Sequence, residues 1–114
     1  LFSSRSEGFG LPLLEAMACR TPVIATPAGA APDLCAGGGG VLVPRDDPAA
    51  MARAIEKFAA MPDAAWREMS TKAHETAIRY TWDDATDRFE AALRQAVERT
   101  RRGELAPTTT ATAE

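Results

Sequence analysis

Pro22 and Pro27 fence off the run Val23-Ile24-Ala25-Thr26, and this short β-branched segment constrains what the chain can fold into. Such a run reads as a buried strand, because it is too short for a helix and bounded by helix breakers. Its surroundings alternate. "LF" is a strand stub and "SSRSEGFG" a loop. "LPLLEAMAC" is a helix with Pro12 in its first turn, where a missing N–H costs nothing. "PAGAAPDLCAGGGG" reads as a turn, one short helical turn after Pro32, and a flexible glycine loop; "VLV" is a further strand, closed by "PRDD". Strand, helix, strand, short helix, strand is the rhythm of a parallel α/β sheet. Parallel strands need both faces covered. Three short strands are too few for an independent doubly wound domain, so the sequence supplies the last strands of a sheet without the first. With Leu1 at its start and no lead-in to the apolar stub, it reads as a piece of something longer.

The second half is helical. Asp47 is an N-cap with Pro48 behind it, and Met51, Ala54, Ile55 and Phe58 fall at helical spacing. Pro62 ends that helix and Asp63 caps the next, whose stripe is Trp66, Met69, Ala73 and Ala77 or Ile78. A third helix, "TWDDATDRFEAALRQAVERTRR", carries Trp82, Ala85, Phe89, Ala92 or Leu93, and Ala96 or Val97 on one face. Both tryptophans sit at core spacing and read as packing. Arg99, Arg101 and Arg102 in its last turn suit the helix dipole. His74 reads as solvated helix surface. From Gly103 to Glu114 the sequence is low-complexity and reads as a disordered tail, leaving residues 1–102 as the folded part.

Charge and cysteine usage exclude several classes. A net charge of −3 gives no long-range attraction for nucleic acid or anionic lipid. No apolar run reaches the roughly 20 residues needed to span a bilayer, and no signal peptide is visible. Cys19 and Cys35 form neither a disulfide framework nor a zinc pattern. They read as reduced, small core residues in a cytoplasmic protein.

The chemistry lies in "SEGFGLPLLEA", Ser6 to Ala16, where Glu7 and Glu15 bracket a glycine turn that runs into a helix. A helix start offers unpaired N–H groups and partial positive charge, and glycines let a ligand approach the backbone. Gly8, Gly10 and the start at Leu11 therefore suit a phosphate. Carboxylates beside phosphates make sense if aimed at hydroxyls on either side, since each carboxylate accepts from two neighbouring hydroxyls. Hydroxyls, diphosphate, hydroxyls describes a nucleoside diphosphate sugar. The plainer reading is that both acids merely complement the helix dipole, at about 0.3–1 kcal/mol each. Phe9 lines the sugar pocket or anchors the loop; Arg5 reaches a phosphate or is a surface arginine. Gly37 to Gly40 precede a strand, not a helix start, and so lack the dipole a phosphate cradle uses.

The segment "SRSEGFGLPLLEAMACRTPVIAT" closely resembles the donor-binding segment of retaining GT-B glycosyltransferases, the group of glycogen synthase-like and phosphatidylinositol mannosyltransferase-like enzymes (glycosyltransferase family 4-like). The E-x7-E pattern of that family falls on Glu7 and Glu15. The resemblance continues through Gly29 to Asp33, "GGVLVPRDDPAAMARAI" and "RYTWDDA", covering roughly residues 1 to 100. It implies an α/β fold: the C-terminal part of a Rossmann-like GT-B donor domain, a few parallel strands followed by three helices. It implies that Glu7 holds hydroxyls of the transferred sugar in the catalytic position. Gly8, Phe9, Gly10 and Leu11 would line the sugar and distal phosphate, and Glu15 would bind the ribose. It further implies metal-independent transfer of a hexosyl group, with retention and front-face attack, from a nucleotide sugar to an unidentified hydroxyl acceptor. No cofactor is implied beyond that donor substrate.

The sequence departs from the family in two ways. The usual double glycine before x-Pro-Glu is Gly29-Ala30 here, followed by Ala31, Pro32 and Asp33, so a positive φ at Ala30 would be costly. The basic residues that neutralise the leaving diphosphate, and the acceptor domain, lie upstream in this family and outside these residues. The missing N-terminal domain would be the main partner, and any contact with a membrane surface would run through it. The fragment is therefore expected to be incomplete and inactive alone. The competing readings are a non-catalytic truncated remnant and an oligomerising interaction module.

Overall fold

The computed structural model describes residues 1–104. In chain order the elements are α1 (Leu11–Ala18), β1 (Val23–Ala25), α2 (Ala31–Ala36), β2 (Gly40–Leu42), α3 (Pro48–Ala59), α4 (Asp63–Ala77) and α5 (Trp82–Arg101). The chain divides into two compact units, Leu1–Arg79 and a second that starts at Tyr80. Of the tail expected from Gly103 onward, only Gly103 and Glu104 are described; their N–H groups bond back to Thr100 and Arg99, and the remainder lies outside the described residues.

β1 is the centre of the first unit. It pairs in parallel with β2, Val23 opposite Gly40 and Ala25 opposite Leu42. On its other side the expected strand stub joins as a single parallel bridge at Phe2, whose N–H donates to the Ile24 carbonyl and whose carbonyl accepts from Thr26, both at 2.9 Å. All three residues of β1 are buried, as the fenced apolar run requires. Alternation along the strand divides them. Val23 and Ala25 join the core made by Leu13 and Met17 of α1, Ala31, Leu34 and Cys35 of α2, and Ala73 and Ala77 of α4. Ile24 instead lines an open apolar groove of about 440 Å³ with Leu1, Pro22, Ile55, Phe58, Ala59 and Trp66. Burial pushes the Cys35 thiol up, as expected of a small core residue, but the expectation that Cys19 is also in the core fails: it follows the last turn of α1 and is exposed.

Local signals set most element ends. Asp47 caps α3, accepting from the Ala50 N–H at 2.8 Å with Pro48 in the first position. Asp63 is not the cap of α4 but its first residue, after an extended Pro62, so it complements the dipole instead of capping. Thr81 caps α5, accepting from Asp84 N–H at 3.1 Å. The helical turn expected after Pro32 is a six-residue helix, α2.

Three expectations fail on packing. The Gly37–Gly40 run is not a flexible spacer. Gly40 belongs to β2, and a Cβ on Gly39 would lie 2.4 Å from the Ala73 Cα and 2.6 Å from its N. Gly39 is glycine because the chain passes directly against the α4 backbone there. Trp66 is 38% exposed and makes an edge-on contact with Phe58 at 6.0 Å and 89°, on the rim of the groove instead of in the core. Trp82 is 80% exposed, and α5 buries none of its residues. Among the described residues the second unit holds one helix, and a lone helix cannot bury its own apolar stripe. Its flanks carry ion pairs at (i, i+4), Asp84–Arg88, Glu90–Arg94 and Glu98–Arg102. His74 is half-buried in the last turn of α4, less solvated than its neighbours in sequence suggest.

Gly39→Ala is expected to destabilise the first unit by about 1–3 kcal/mol, because backbone, not a mobile side chain, blocks the added carbon. The urea midpoint of the variant checks this. An unchanged midpoint would mean that the run does not touch α4.

Candidate functional site

Parallel strands all point the same way, so the segments leaving their carboxyl ends emerge on one edge of the sheet. Ligands of open α/β sheets bind in the crevice there. Three such segments leave this sheet: residues 3–10 after the Phe2 bridge, 26–30 after β1, and 43–47 after β2. The first contains the candidates Glu7, Gly8, Phe9 and Gly10, and runs into α1, where Leu11 and Glu15 lie.

Gly10 precedes the helix with φ +98° and ψ +46°, and its carbonyl accepts from the Leu13 N–H at 3.0 Å. Only a glycine takes this left-handed entry without strain. No side chain caps the helix start, and its first turn carries no acidic residue. The partial positive charge of that end is therefore uncompensated locally, which suits an anion. Leu13 and Met17 turn into the core. Glu15, two residues from each, lies on the opposite, exposed face together with Leu11, itself 46% exposed. Glu7 and Gly8 are exposed, and Phe9 is 36% exposed. The Ser4 hydroxyl donates to the Glu7 carboxylate at 2.6 Å, which fixes that side chain on its own loop.

The other two segments hold this loop in place. Thr26 is the buried polar residue among those described; its hydroxyl donates to the Ser4 carbonyl at 2.5 Å. Ala30 N–H donates to the Phe9 carbonyl at 2.7 Å. Arg5 reaches across to Asp46, Nε at 3.0 Å and Nη2 at 2.6 Å from Oδ1. Asp46 stands at φ +57°, a conformation that Asp tolerates better than most residues. The Arg45 guanidinium donates to the Pro27 carbonyl and so ties the second segment to the third. Arg5 is exposed, as its surface reading has it, and its pair with Asp46 ties the first segment to the third. Ser4, Thr26 and Asp46 are the residues that sequence reasoning missed. Ser4 and Glu7 stand three apart, a spacing that itself signals local hydrogen bonding. The rest carry no local signal.

A family model described as glycosyl transferases group 1 matches residues 1–61, more than half of the chain, including all three segments. The chain belongs to this family. It is 43% identical over 83 residues to a D-inositol 3-phosphate glycosyltransferase of Streptomyces bingchenggensis, covering 72% of this chain and 18% of that one. It is 33% identical over 87 residues to the O-antigen chain mannosyltransferase B of Escherichia coli, covering 75% and 22%. Among solved structures, the sucrose-phosphate synthase of Thermosynechococcus elongatus superposes with a TM-score of 0.69 at 34% identity, covering 84% of this chain and 24% of that one. The chain thus spans about a fifth of the length of these curated group 1 relatives. The GT-B likeness read from "SEGFGLPLLEA" agrees with all three comparisons. Among the described residues of this group 1 chain, no helix is long and apolar enough to cross a membrane.

The tethers are expected to differ in weight. Thr26→Val removes a buried hydroxyl and leaves the Ser4 carbonyl without its donor, at a cost of about 1–2 kcal/mol. Asp46→Asn keeps a residue tolerant of positive φ and breaks an exposed ion pair, at about 0.5 kcal/mol or less. Paired urea titrations check the order. A larger loss in Asp46→Asn would mean that the Arg5 tether carries the loop.

Proposed function

We propose that the first unit is the donor-holding part of a retaining glycosyltransferase that moves a hexosyl group from a nucleoside diphosphate sugar to a hydroxyl acceptor. The observation that carries this reading is the uncapped, acid-free start of α1, entered through Gly10 and flanked by the exposed carboxylates of Glu7 and Glu15. Its family membership supports it, and so do the names of its relatives, which include an inositol phosphate glycosyltransferase and a mannosyltransferase.

In this reading the helix start receives the distal phosphate. Glu7, already oriented by Ser4, takes hydroxyls of the sugar, and Glu15 takes the ribose. As the bond from the anomeric carbon to the phosphate oxygen breaks, negative charge grows on the diphosphate, and the helix-start N–H groups stabilise it more than they stabilise the bound donor. The acceptor oxygen forms its bond to the anomeric carbon on the face the diphosphate leaves, and its proton passes to the departing phosphate oxygen. Configuration is retained without an enzyme nucleophile. Recognition of the base, neutralisation of the diphosphate by basic groups and binding of the acceptor belong to other parts of the full-length protein.

Two substitutions in the full-length protein test this. Glu7→Ala is expected to lower turnover by about 100-fold or more, and to remove the preference for nucleotide sugar over free nucleoside diphosphate. Glu15→Ala is expected to weaken both ligands together by about tenfold, since both contain ribose. Steady-state kinetics and calorimetry with UDP, GDP, UDP-glucose and GDP-mannose provide the readouts. Negligible effects of both changes would contradict the proposal.

A further inference from the structure

Beyond the Thr26–Ser4 bond, the segment after β1 meets the Glu7 loop again at Gly29 and Ala30. Gly29 stands at φ +55°, and a Cβ built on it would lie 2.4 Å from the Phe9 carbonyl oxygen, 2.8 Å from its carbon and 3.0 Å from the Glu7 Cβ. The next residue, Ala30, bonds that same Phe9 oxygen through its N–H at 2.7 Å. Ala30 itself stands at φ −83° and ψ 4°, where a side chain is unstrained. Of the two positions that are usually glycine in the resembled family, only the first is sterically required here, and the Gly-Ala departure carries no backbone penalty.

We infer that Gly29 is a positioning residue for the donor site: by having no side chain, it lets the Glu7–Gly10 backbone settle onto the turn before α2 and so sets the height of the Glu7 carboxylate beside the start of α1. The inference rests on the functional reading above. Any L-residue at position 29 meets two obstacles. Its φ is unfavourable, and its Cβ must push the Phe9 carbonyl away by about 1 Å, and the Glu7 Cβ by a few tenths of an ångström, to reach ordinary contact distance. The obstacle is backbone, which has no rotamer with which to yield. Gly10 anchors the far end of the loop at the helix, so the displacement falls on Glu7 to Phe9, the part assigned to the sugar. The helix start and Glu15, held by the core through Leu13 and Met17, stay where they are. A misplacement on the order of 1 Å in the loop that holds the reacting sugar costs about 10- to 100-fold in rate. Gly29 therefore governs how the sugar is held, and leaves the nucleotide alone.

The test uses Gly29→Ala, Gly29→Asn and Glu7→Gln in the full-length protein. Asn accepts positive φ more readily than Ala but carries the same Cβ, so it separates the steric cause from the conformational one. Both Gly29 variants are expected to bind UDP or GDP within about threefold of the parent while losing about 10- to 100-fold in affinity and kcat for the matching nucleotide sugar. Parent-like sugar preference in Gly29→Asn, with that preference lost in Glu7→Gln, would overturn the inference and leave the functional reading intact. If the parent itself shows no sugar preference, the functional reading fails. The ligand-free measurement then decides the geometry: amide exchange at Ala30 is expected to quicken in both Gly29 variants while Leu34, bonded to the Ala30 carbonyl, stays protected. Unchanged Ala30 exchange would overturn the positioning role. Should the Gly29 variants fail to fold, Ala30→Pro removes the same hydrogen bond from the other side. It is expected to reproduce the loss of sugar preference, and parent-like preference would contradict the inference.

Discussion

The site depends on the hydrogen bonds of one three-residue strand. β1 accepts a partner on each side, Phe2 on one and β2 on the other, all running the same way. That shared direction is what delivers three loops to one edge. Slipping β1 by one residue would send Ile24 into the core with α1, α2 and α4, and turn Val23 and Ala25 to the groove. Core burial on one face therefore fixes the register, and the register fixes which loop residues meet.

From that edge the chemistry follows in a short chain of causes. The loop after Phe2 is largely exposed, and hydrogen bonds tie it to its neighbours: from the buried Thr26 hydroxyl, from the Ala30 N–H, and from its own Arg5 to Asp46. These differ in strength because they differ in exposure to water. The buried bond to Ser4 is the firm one, and Ser4 in turn holds Glu7. The carboxylate assigned to the sugar is thus connected to the sheet through two hydroxyls. Such preorganisation lowers the cost of ordering the site when the donor binds.

Much of this was legible in the residues themselves. The proline fence around Val23–Thr26 marked a buried strand, Asp47-Pro48 marked a helix start, and Gly8 to Leu11 marked a glycine turn running into a helix. These features act within a few residues of one another. What was not legible acts across the sheet. Arg5 and Asp46 are far apart in sequence, and nothing near either one names the other. The family pattern marked Gly29 but not the reason for it, the Phe9 carbonyl packed against it, and Gly39, demanded by the backbone of Ala73, looked like an ordinary turn residue. Helical spacing gave Trp66 and Trp82 an apolar face but said nothing about whether another element covers it. Burial is a property of the neighbour as much as of the helix.

The central claim is that the Glu7 loop and the start of α1 grip the two ends of one sugar–diphosphate unit. A crystal structure of the full-length protein with a bound nucleotide sugar tests it most directly. The account places the distal phosphate at the N–H groups that follow Gly10, and the sugar hydroxyls within hydrogen-bonding distance of the Glu7 carboxylate, with Phe9 still seated on the turn at Gly29. A donor bound elsewhere, with Glu7 turned to solvent and the helix start empty, would contradict it.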